Sequence, residues 1–284
     1  MTSAELSSIE LFRKACALMK QQGIEDAEKE VELFFSILLG IDRVSLFRDN
    51  PPVDEVKQKA LINAVQERLK GRPAQYITGY VEFYGLKFIV GEGVLIPRPE
   101  TELLVDEVIG LHKEGALGDK PLILELCTGT GCIALSIAKY LKDASITATE
   151  ISPTALEYAK KNLKLHGLKN VTLLRADLFP AEKKNYDLIV SNPPYVSSRD
   201  MQLLAPHVKR EPFEALYGGR DGLDFYRRIL SKAEDYLKQR GFLALEVGAG
   251  QAEPVVKMAE EAGFSLYRKT KDLSGIDRVV VLRL

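Results

Sequence analysis

The sequence predicts an α/β protein with a mostly parallel sheet covered on both faces, preceded by a small α-helical domain and a β-hairpin linker. Three observations carry this prediction. From residue 121 to the end, short apolar runs alternate with helical segments, a pattern that calls for crossover helices and so for a parallel sheet. The first 72 residues show only helical periodicity. Between them, YITGYVEFYGLKFIVGEGVLI (residues 76–96) is rich in β-branched and aromatic residues with glycine at turn positions, as in a hairpin. The resulting division is 1–75 helical domain, 76–97 hairpin linker and 98–284 α/β domain.

In the helical part, Ile9, Phe12, Cys16 and Met19 recur at spacings of three and four, and Gly23 is a stop signal. Val31, Phe34, Phe35, Leu38 and Leu39 form a second apolar face closed by Gly40. Beyond Pro51 and Pro52, a third helix carries Val56, Ala60, Val65 and Leu69 on one side and ends at Gly71. No catalytic constellation occurs here. A bundle packed on itself and a docking module for a partner both fit. After the hairpin, Pro99 suits a first helical turn, and Glu100 and Glu102 suit its positive end. The strands then read as LILEL, SITATE, VTLLRA and YDLIVS, with helices at 131–141 and 153–167 between the first three. A helix near 222–239 leads to FLALEV, another near 251–262 leads to FSLYRKT, and DRVVVLRL closes the chain.

Composition bounds the function classes. With 284 residues, 46% hydrophobic and 28% charged, the chain has material for a core, which excludes disordered, collagenous and coiled-coil classes. Lys and Arg number 39 against 40 Asp and Glu, and residues 1–80 hold eleven against twelve. No basic bulk advertises a nucleic-acid duplex. Cys16, Cys127 and Cys132 make no disulfide framework and no CxxC pair. His112, His166 and His207 lack companions at metal-ligand spacing, so no metal is expected. The start of the chain lacks a basic segment followed by an apolar run, and no stretch of 18 apolar residues exists. A cytoplasmic protein without a membrane span is expected.

Two motifs carry the chemistry. In LILELCTGTGCIALSIA (residues 122–138) a strand leads into Gly129-Thr130-Gly131 and then a helix. Glycines allow a sharp turn and close ligand approach, and the helix N–H groups face the ligand. Glu150 lies 19 residues after Gly131, at the end of the next strand. A carboxylate there accepts both hydroxyl protons of a ribose, although it also suits a cap on the helix starting at Ser152-Pro153. After the third strand, Asp177 is a candidate acceptor for an adenine amino group, with Leu178 and Phe179 as walls for the ring. The second motif, Asn192-Pro193-Pro194-Tyr195, follows YDLIVS. Two prolines remove two N–H donors and stiffen the frame that presents the Asn192 and Pro193 carbonyls. All these residues sit at predicted strand C-termini and converge on one rim.

The glycine loop, Glu150 and Asn192-Pro193-Pro194-Tyr195 resemble class I S-adenosylmethionine-dependent methyltransferases, in the branch that methylates a planar, conjugated nitrogen. The segments RPAQYITGYVEFYGLKF, IPRPETELLVD and EPFEALYGGRDGLDFYRRI are similar to the PrmC/HemK family, and the resemblance covers nearly the whole chain. It implies a Rossmann-like domain with a seven-stranded sheet. It also implies transfer of methyl from S-adenosylmethionine, leaving S-adenosylhomocysteine, to the glutamine side-chain amide in the Gly-Gly-Gln loop of class-1 peptide chain release factors. The helical domain and hairpin are then expected to grip the release factor, with no direct nucleic-acid binding and a monomeric enzyme.

The resemblance implies cofactor contacts from Cys127, Thr128, Gly129, Thr130, Gly131, Glu150, Asp177, Leu178 and Asn192. It assigns the substrate amide to Asn192, Pro193, Pro194 and Tyr195, with the Tyr195 ring against the amide plane. Arg98 and Glu100 are expected at the substrate opening. Arg210, Glu211 and Pro212, with Gly218 and Gly219, are expected to shape the loop over the site. The chain departs from the family at Cys127, where glycine is usual, at Glu150, where aspartate is usual, and at Leu178, where an aromatic is common. Two other target readings keep the chemistry: a ribosomal-protein glutamine and an adenine amino group. An NAD oxidoreductase would use Gly129, Gly131 and Glu150 but leave the Asn-Pro-Pro-Tyr segment idle.

Overall fold

The computed structural model describes residues 7–284. Contacts divide it into two units, one reaching to Tyr80 and adding Pro206–Arg210, the other made of Val81–Ala205 and Glu211–Leu284.

The first unit is helical. α1 (Ser8–Gln21) opens on a capping box: Ser7 Oγ accepts from the Glu10 N–H, and the Glu10 carboxylate accepts from the Ser7 N–H. Its buried stripe includes Phe12, Cys16 and Met19, while Ile9 is half-buried. α2 (Ala27–Phe34) runs into a π-helical turn, Phe35–Leu39, which ends at Gly40 in the left-handed region. α3 (Arg43–Arg48), which the sequence reading did not separate, is capped by Asp42, and α4 (Glu55–Leu69) by Asp54.

The α4 face differs from expectation. Val56 is 78% exposed, and the buried stripe is Leu61, Ala64, Val65 and Arg68. Val56 stands five residues before Leu61, about 140° around the helix. Arg68 is kept inside by its two hydrogen bonds to the Glu30 carboxylate, at 2.6 and 3.0 Å.

The hairpin begins later than residue 76, because α5 (Ala74–Thr78) comes first and ends at left-handed Gly79. β1 (Tyr80–Phe83) and β2 (Leu86–Ile89) are joined by Tyr84 and Gly85, both at positive φ. Two such residues match the right-handed twist of the strands they connect.

The second unit holds a seven-stranded sheet. A 3-10 turn, Pro99–Thr101, precedes α6 (Glu102–Lys113). Then follow β3 (Leu122–Leu126), α7 (Cys132–Tyr140), β4 (Ser145–Glu150), α8 (Pro153–His166), β5 (Val171–Arg175) and β6 (Tyr186–Ser191). The chain continues through α9 (Ser198–Leu203), α10 (Phe213–Leu216), α11 (Asp224–Ala233), β7 (Leu237–Glu246), α12 (Ala252–Glu261), β8 (Ser265–Lys271) and β9 (Asp277–Arg283). The strand order is β5-β4-β3-β6-β7-β9-β8, with only β9 antiparallel to its neighbours. The helix expected at 222–239 is shorter at both ends. Leu237 already pairs with Tyr186 in the sheet, so the run FLALEV is only the second half of β7.

Strand residues alternate between two cores. Ile123, Ala148, Leu188, Val190, Ala244 and Val281 pack with residues of α6 and α7 on one face. Leu124, Leu126, Ile189, Leu243, Leu245 and Val280 pack with residues of α11 and α12 on the other. Burial on both faces is why the strands read as continuous apolar runs. The order reverses at β3, whose neighbours β4 and β6 carry the chain away in opposite directions, and such a switch opens a crevice at the strand C-termini. Among the described residues, no helix is long and apolar enough to cross a membrane.

Candidate active site

β3 delivers the chain into the glycine loop. Cys127, Gly129 and Gly131 all have positive φ (59°, 56° and 82°), and Gly131 caps α7. A Cβ in this region costs about 1–2 kcal/mol, which gives a physical reason for glycine at the position of Cys127. The loop is fastened to β4 by Thr128, whose N–H donates to the Thr149 carbonyl at 2.9 Å.

Beneath the loop lies Glu125, a residue the sequence reading passed over. It is fully buried, and its Oε2 accepts from the Thr128 hydroxyl and from the Ala134 N–H at 3.2 Å. Burial pushes its carboxyl up to about 8. Glu125 therefore joins the two ends of the loop from below.

Glu150, at the end of β4, also holds the loop. Oε2 accepts from the Gly129 N–H at 2.9 Å, and Oε1 from the Ser152 N–H at 2.9 Å. Each oxygen keeps a further lone pair. Asn162 of α8 was not singled out either. Its amide pairs with the backbone of Ile89 in β2 and donates to the Thr130 carbonyl at 3.0 Å, so the hairpin and the loop share one buried side chain.

β6 supplies the second motif. The Ser191 hydroxyl donates to the Leu126 carbonyl at 2.9 Å, which locks the ends of β6 and β3 together. Asn192 Nδ2 donates to Thr101 Oγ1 at 3.1 Å, leaving the side-chain oxygen available. The Tyr195 carbonyl accepts from Gln251 Nε2 at 2.9 Å, and Gln251 Oε1 accepts from the Gly248 N–H at 2.9 Å. Three glycines crowd this tetrapeptide. A Cβ on Gly218 would stand 2.6 Å from Tyr195 Cα, one on Gly222 would stand 2.4 Å from the Tyr195 carbonyl oxygen, and one on Gly248 would stand 3.0 Å from the Tyr195 ring.

A cavity of about 530 Å³ opens at this rim, large enough for a nucleoside-sized ligand. Of the predicted site residues, Cys127, Thr128, Gly129, Thr130, Glu150, Asn192 and Pro194 line it. Gly131 and Pro193 lie in the same loops without lining it. Tyr195 does not line it either: its ring packs against the α11–α12 core, and its hydroxyl donates to Glu246 at 3.4 Å.

Asp177 and Leu178 are likewise outside the wall. Asp177 pairs with Arg228 at 2.7 Å on the surface, and Leu178 is buried at positive φ with its carbonyl accepting from Thr149. Phe179 stacks on Tyr236 instead. The aromatic wall is Phe225, which nothing in the local sequence marked.

Arg98 lines the cavity, while Glu100 does not. Glu211 ties Arg98 down: its carboxylate receives the Arg98 guanidinium and the Ile96 N–H, and Pro212 beside it lines the cavity. Arg210 instead belongs to the first unit, where it donates to the Lys70 carbonyl. Gly219 packs on Asp224, close to the start of α11. Burial raises the Cys127 and Cys132 thiols above their usual range, so neither is an activated nucleophile.

Comparison with known proteins agrees with this geometry. Residues 101–209 match the family described as Methyltransferase small domain, and residues 10–79 match the PrmC N-terminal domain. The chain is 42% identical over 258 residues to the release factor glutamine methyltransferase of Thermodesulfovibrio yellowstonii, covering 90% of this chain and 92% of that one. It is 42% identical over 265 residues to the protein of the same name from Geobacter sulfurreducens, covering 92% and 91%. Among solved structures, a methyltransferase from Pyrococcus furiosus shares the fold, with a TM-score of 0.53, 19% identity, and coverage of 81% of this chain and 98% of that one. With a cofactor-sized cavity at the switch point of its sheet and this likeness over most of its length, the chain belongs to the release factor glutamine methyltransferases.

Proposed function

We propose that the protein methylates the side-chain amide nitrogen of the glutamine in the Gly-Gly-Gln loop of class-1 peptide chain release factors. S-Adenosylmethionine is the methyl donor and S-adenosylhomocysteine the product. The observation that carries this reading is the Asn192 side chain. Its donor end is committed to Thr101, and its acceptor end remains for a ligand at a cavity faced by the glycine loop and Glu150.

The cavity suits the cofactor. Glu150 has lone pairs for ribose hydroxyls. The Thr130 hydroxyl is buried without a partner at the loop. Cys127, Thr128, Gly129, Thr130 and Gly131 would hold the methionine end, with Phe225 against the adenine ring. Asp177 would reach the adenine amino group when its exposed pair with Arg228 opens. S-Adenosylmethionine supplies a methyl group already made electrophilic by its sulfonium.

The protein's part is orientation. The substrate nitrogen is a poor nucleophile because its lone pair is delocalised into the carbonyl. Asn192 Oδ1 and the Pro193 carbonyl would accept its two N–H hydrogens, aim it at the methyl group and favour the positive charge that develops on it. Pro193 and Pro194 hold those acceptors on a frame without N–H donors of its own. The substrate proton can depart after methyl transfer, so the step needs no strong base. Residues 1–75 and the 76–97 hairpin would grip the release factor in the cytoplasm, and 98–284 would carry the chemistry.

Transfer of label from S-adenosylmethionine to purified release factor tests this, with a Gln→Ala change in the Gly-Gly-Gln loop as control. Label that disappears in the control supports the assignment. No label on an intact release factor, with cofactor bound, moves the target to a ribosomal protein or nucleic acid.

A further inference from the structure

We propose that Asn162 is a positioning residue for the cofactor: its side-chain amide holds the glycine loop in the shape that S-adenosylmethionine binds, with the hairpin strand β2 as its support. This deepens the cofactor reading given above and rests on it. Asn162 lies in α8 and is fully buried. Its Oδ1 accepts from the Ile89 N–H at 2.7 Å, and Nδ2 donates to the Ile89 carbonyl and to the Thr130 carbonyl, each at 3.0 Å. Both Nδ2 hydrogens are thereby used. A hydroxyl could not replace them, having one proton to give, nor could an ionised carboxylate, having none.

The support is a register between helix and strand. Steps of four residues back along α8 from His166 meet steps of two residues forward from Lys87. His166 Nε2 is hydrogen-bonded to the Lys87 carbonyl at 2.9 Å, and Asn162 holds Ile89. A Cβ on Gly91 would stand 2.2 Å from the Tyr158 hydroxyl oxygen, and one on Gly93 would stand 2.6 Å from the Thr154 methyl carbon. Four helical residues rise about 6 Å and two extended residues about 6.6–6.8 Å, so the two segments stay in step over this length. Gly93, Val94, Leu95 and Thr154 line the cavity. The register that seats β2 on α8 therefore also delivers one wall of the cofactor cavity.

Thr130 belongs to the glycine-loop wall. It lines the cavity, and its hydroxyl is buried without a partner. Its carbonyl begins the peptide group that ends at Gly131, the cap of α7. Without Asn162 that carbonyl loses its donor. A buried acceptor left unpaired is costly, so the peptide turns away from its present plane and carries the Thr130 hydroxyl with it. Thr128 and Gly129 stay fastened by Glu125 and Glu150, which confines the change to the far side of the loop. Because one amide bonds loop and strand together, the coupling runs both ways: a cofactor that holds the loop also holds Ile89, by the same factor.

The test uses the full chain and calorimetric titration with S-adenosylmethionine, which reads affinity and the number of sites separately. Asn162→Leu keeps the size of the side chain and removes its hydrogen bonds, and Asn162→Ala removes both. Each should weaken binding about tenfold with the number of sites unchanged. His166→Ala cuts only the outer end of the register and should stay within about twofold of the wild type. In the wild type alone, saturating S-adenosylmethionine should slow hydrogen exchange at the Ile89 N–H by the same factor of about ten. Unchanged affinity in both Asn162 variants would overturn the proposal. So would a loss of sites at unchanged affinity, which marks a residue that only supports folding, or Ile89 exchange that ignores the cofactor. The wild-type titration by itself tests the cofactor reading, and none of these measurements depends on which protein is methylated.

Discussion

The Gly129 N–H and the Glu150 carboxylate are hydrogen-bonded at 2.9 Å across 21 residues of sequence, so the residue proposed to hold the ribose also sets the shape of the glycine loop. Removing it should do two kinds of harm. In Glu150→Ala the ribose loses its acceptor, and the loop loses an anchor at Gly129. Hydrogen bonds to charged groups are worth about 1.5–3 kcal/mol, so affinity for S-adenosylmethionine should drop about 10- to 100-fold. Calorimetric titration checks this. Glu150→Asp should keep part of the affinity, because the shorter side chain keeps the charge and shifts the reach.

Asn192→Ala should behave differently. The fold should persist, because Ser191 and Gln251 still fasten the segment on either side. The substrate nitrogen would lose its proposed orienting acceptor, and loss of a comparable preorganised group costs about 10²–10³ in kcat. Turnover close to the wild type in a folded Asn192→Ala protein would remove this residue from the site.

Cys127 makes a steric prediction. Its φ of 59° is tolerable for an unbranched side chain and poor for a β-branched one. Cys127→Val should lower stability by at least about 1–2 kcal/mol. Cys127→Gly relieves the left-handed strain but loosens the unfolded chain, and these effects are of similar size, so its stability should stay within about 1 kcal/mol of the wild type. Urea unfolding of the three proteins separates these outcomes.

Glu125 links stability to pH. Burial raises its folded-state value to about 8 from an ordinary 4.5, so the folded protein holds a proton that the unfolded chain releases. The associated stability is fully present below about pH 4.5, declines as pH rises towards 8 and levels off above it. Urea midpoints at pH 5 and pH 8 should therefore differ more in the wild type than in Glu125→Gln. The remaining difference in the variant includes Glu246, whose burial shifts it in the same direction.

The sheet was readable in the sequence because its inner strands are buried on both faces, so LILEL, YDLIVS and DRVVVLRL stand out as apolar runs. The α4 face was not, since Val56 and Ala60 are apolar by composition but lie off the stripe that Leu61 begins. The glycine loop, Glu150 and Asn192 announce themselves through local chemistry at strand ends. Thr101 and Phe225 do not, because they reach the cavity from distant parts of the chain and look ordinary in place. Glu125 left one signal, a lone carboxylate inside an apolar strand just before the loop. Tyr195 misled for a physical reason: a ring beside two prolines suggests a stacking surface, but its hydroxyl finds Glu246 in the interior.

Gly218 and Gly222 come from one loop and Gly248 from another, and each leaves room for Tyr195 or its neighbours where a methyl group would collide. None of the three lines the cavity. Mutational sensitivity and ligand proximity will therefore part company here. A saturation scan scored by methyl transfer would mark a ring of intolerant positions around the tetrapeptide that no bound molecule ever touches. A scan scored by cofactor affinity would find the same ring far quieter, because the glycine loop stands on β3 and β4 and takes its shape from Glu125 and Glu150.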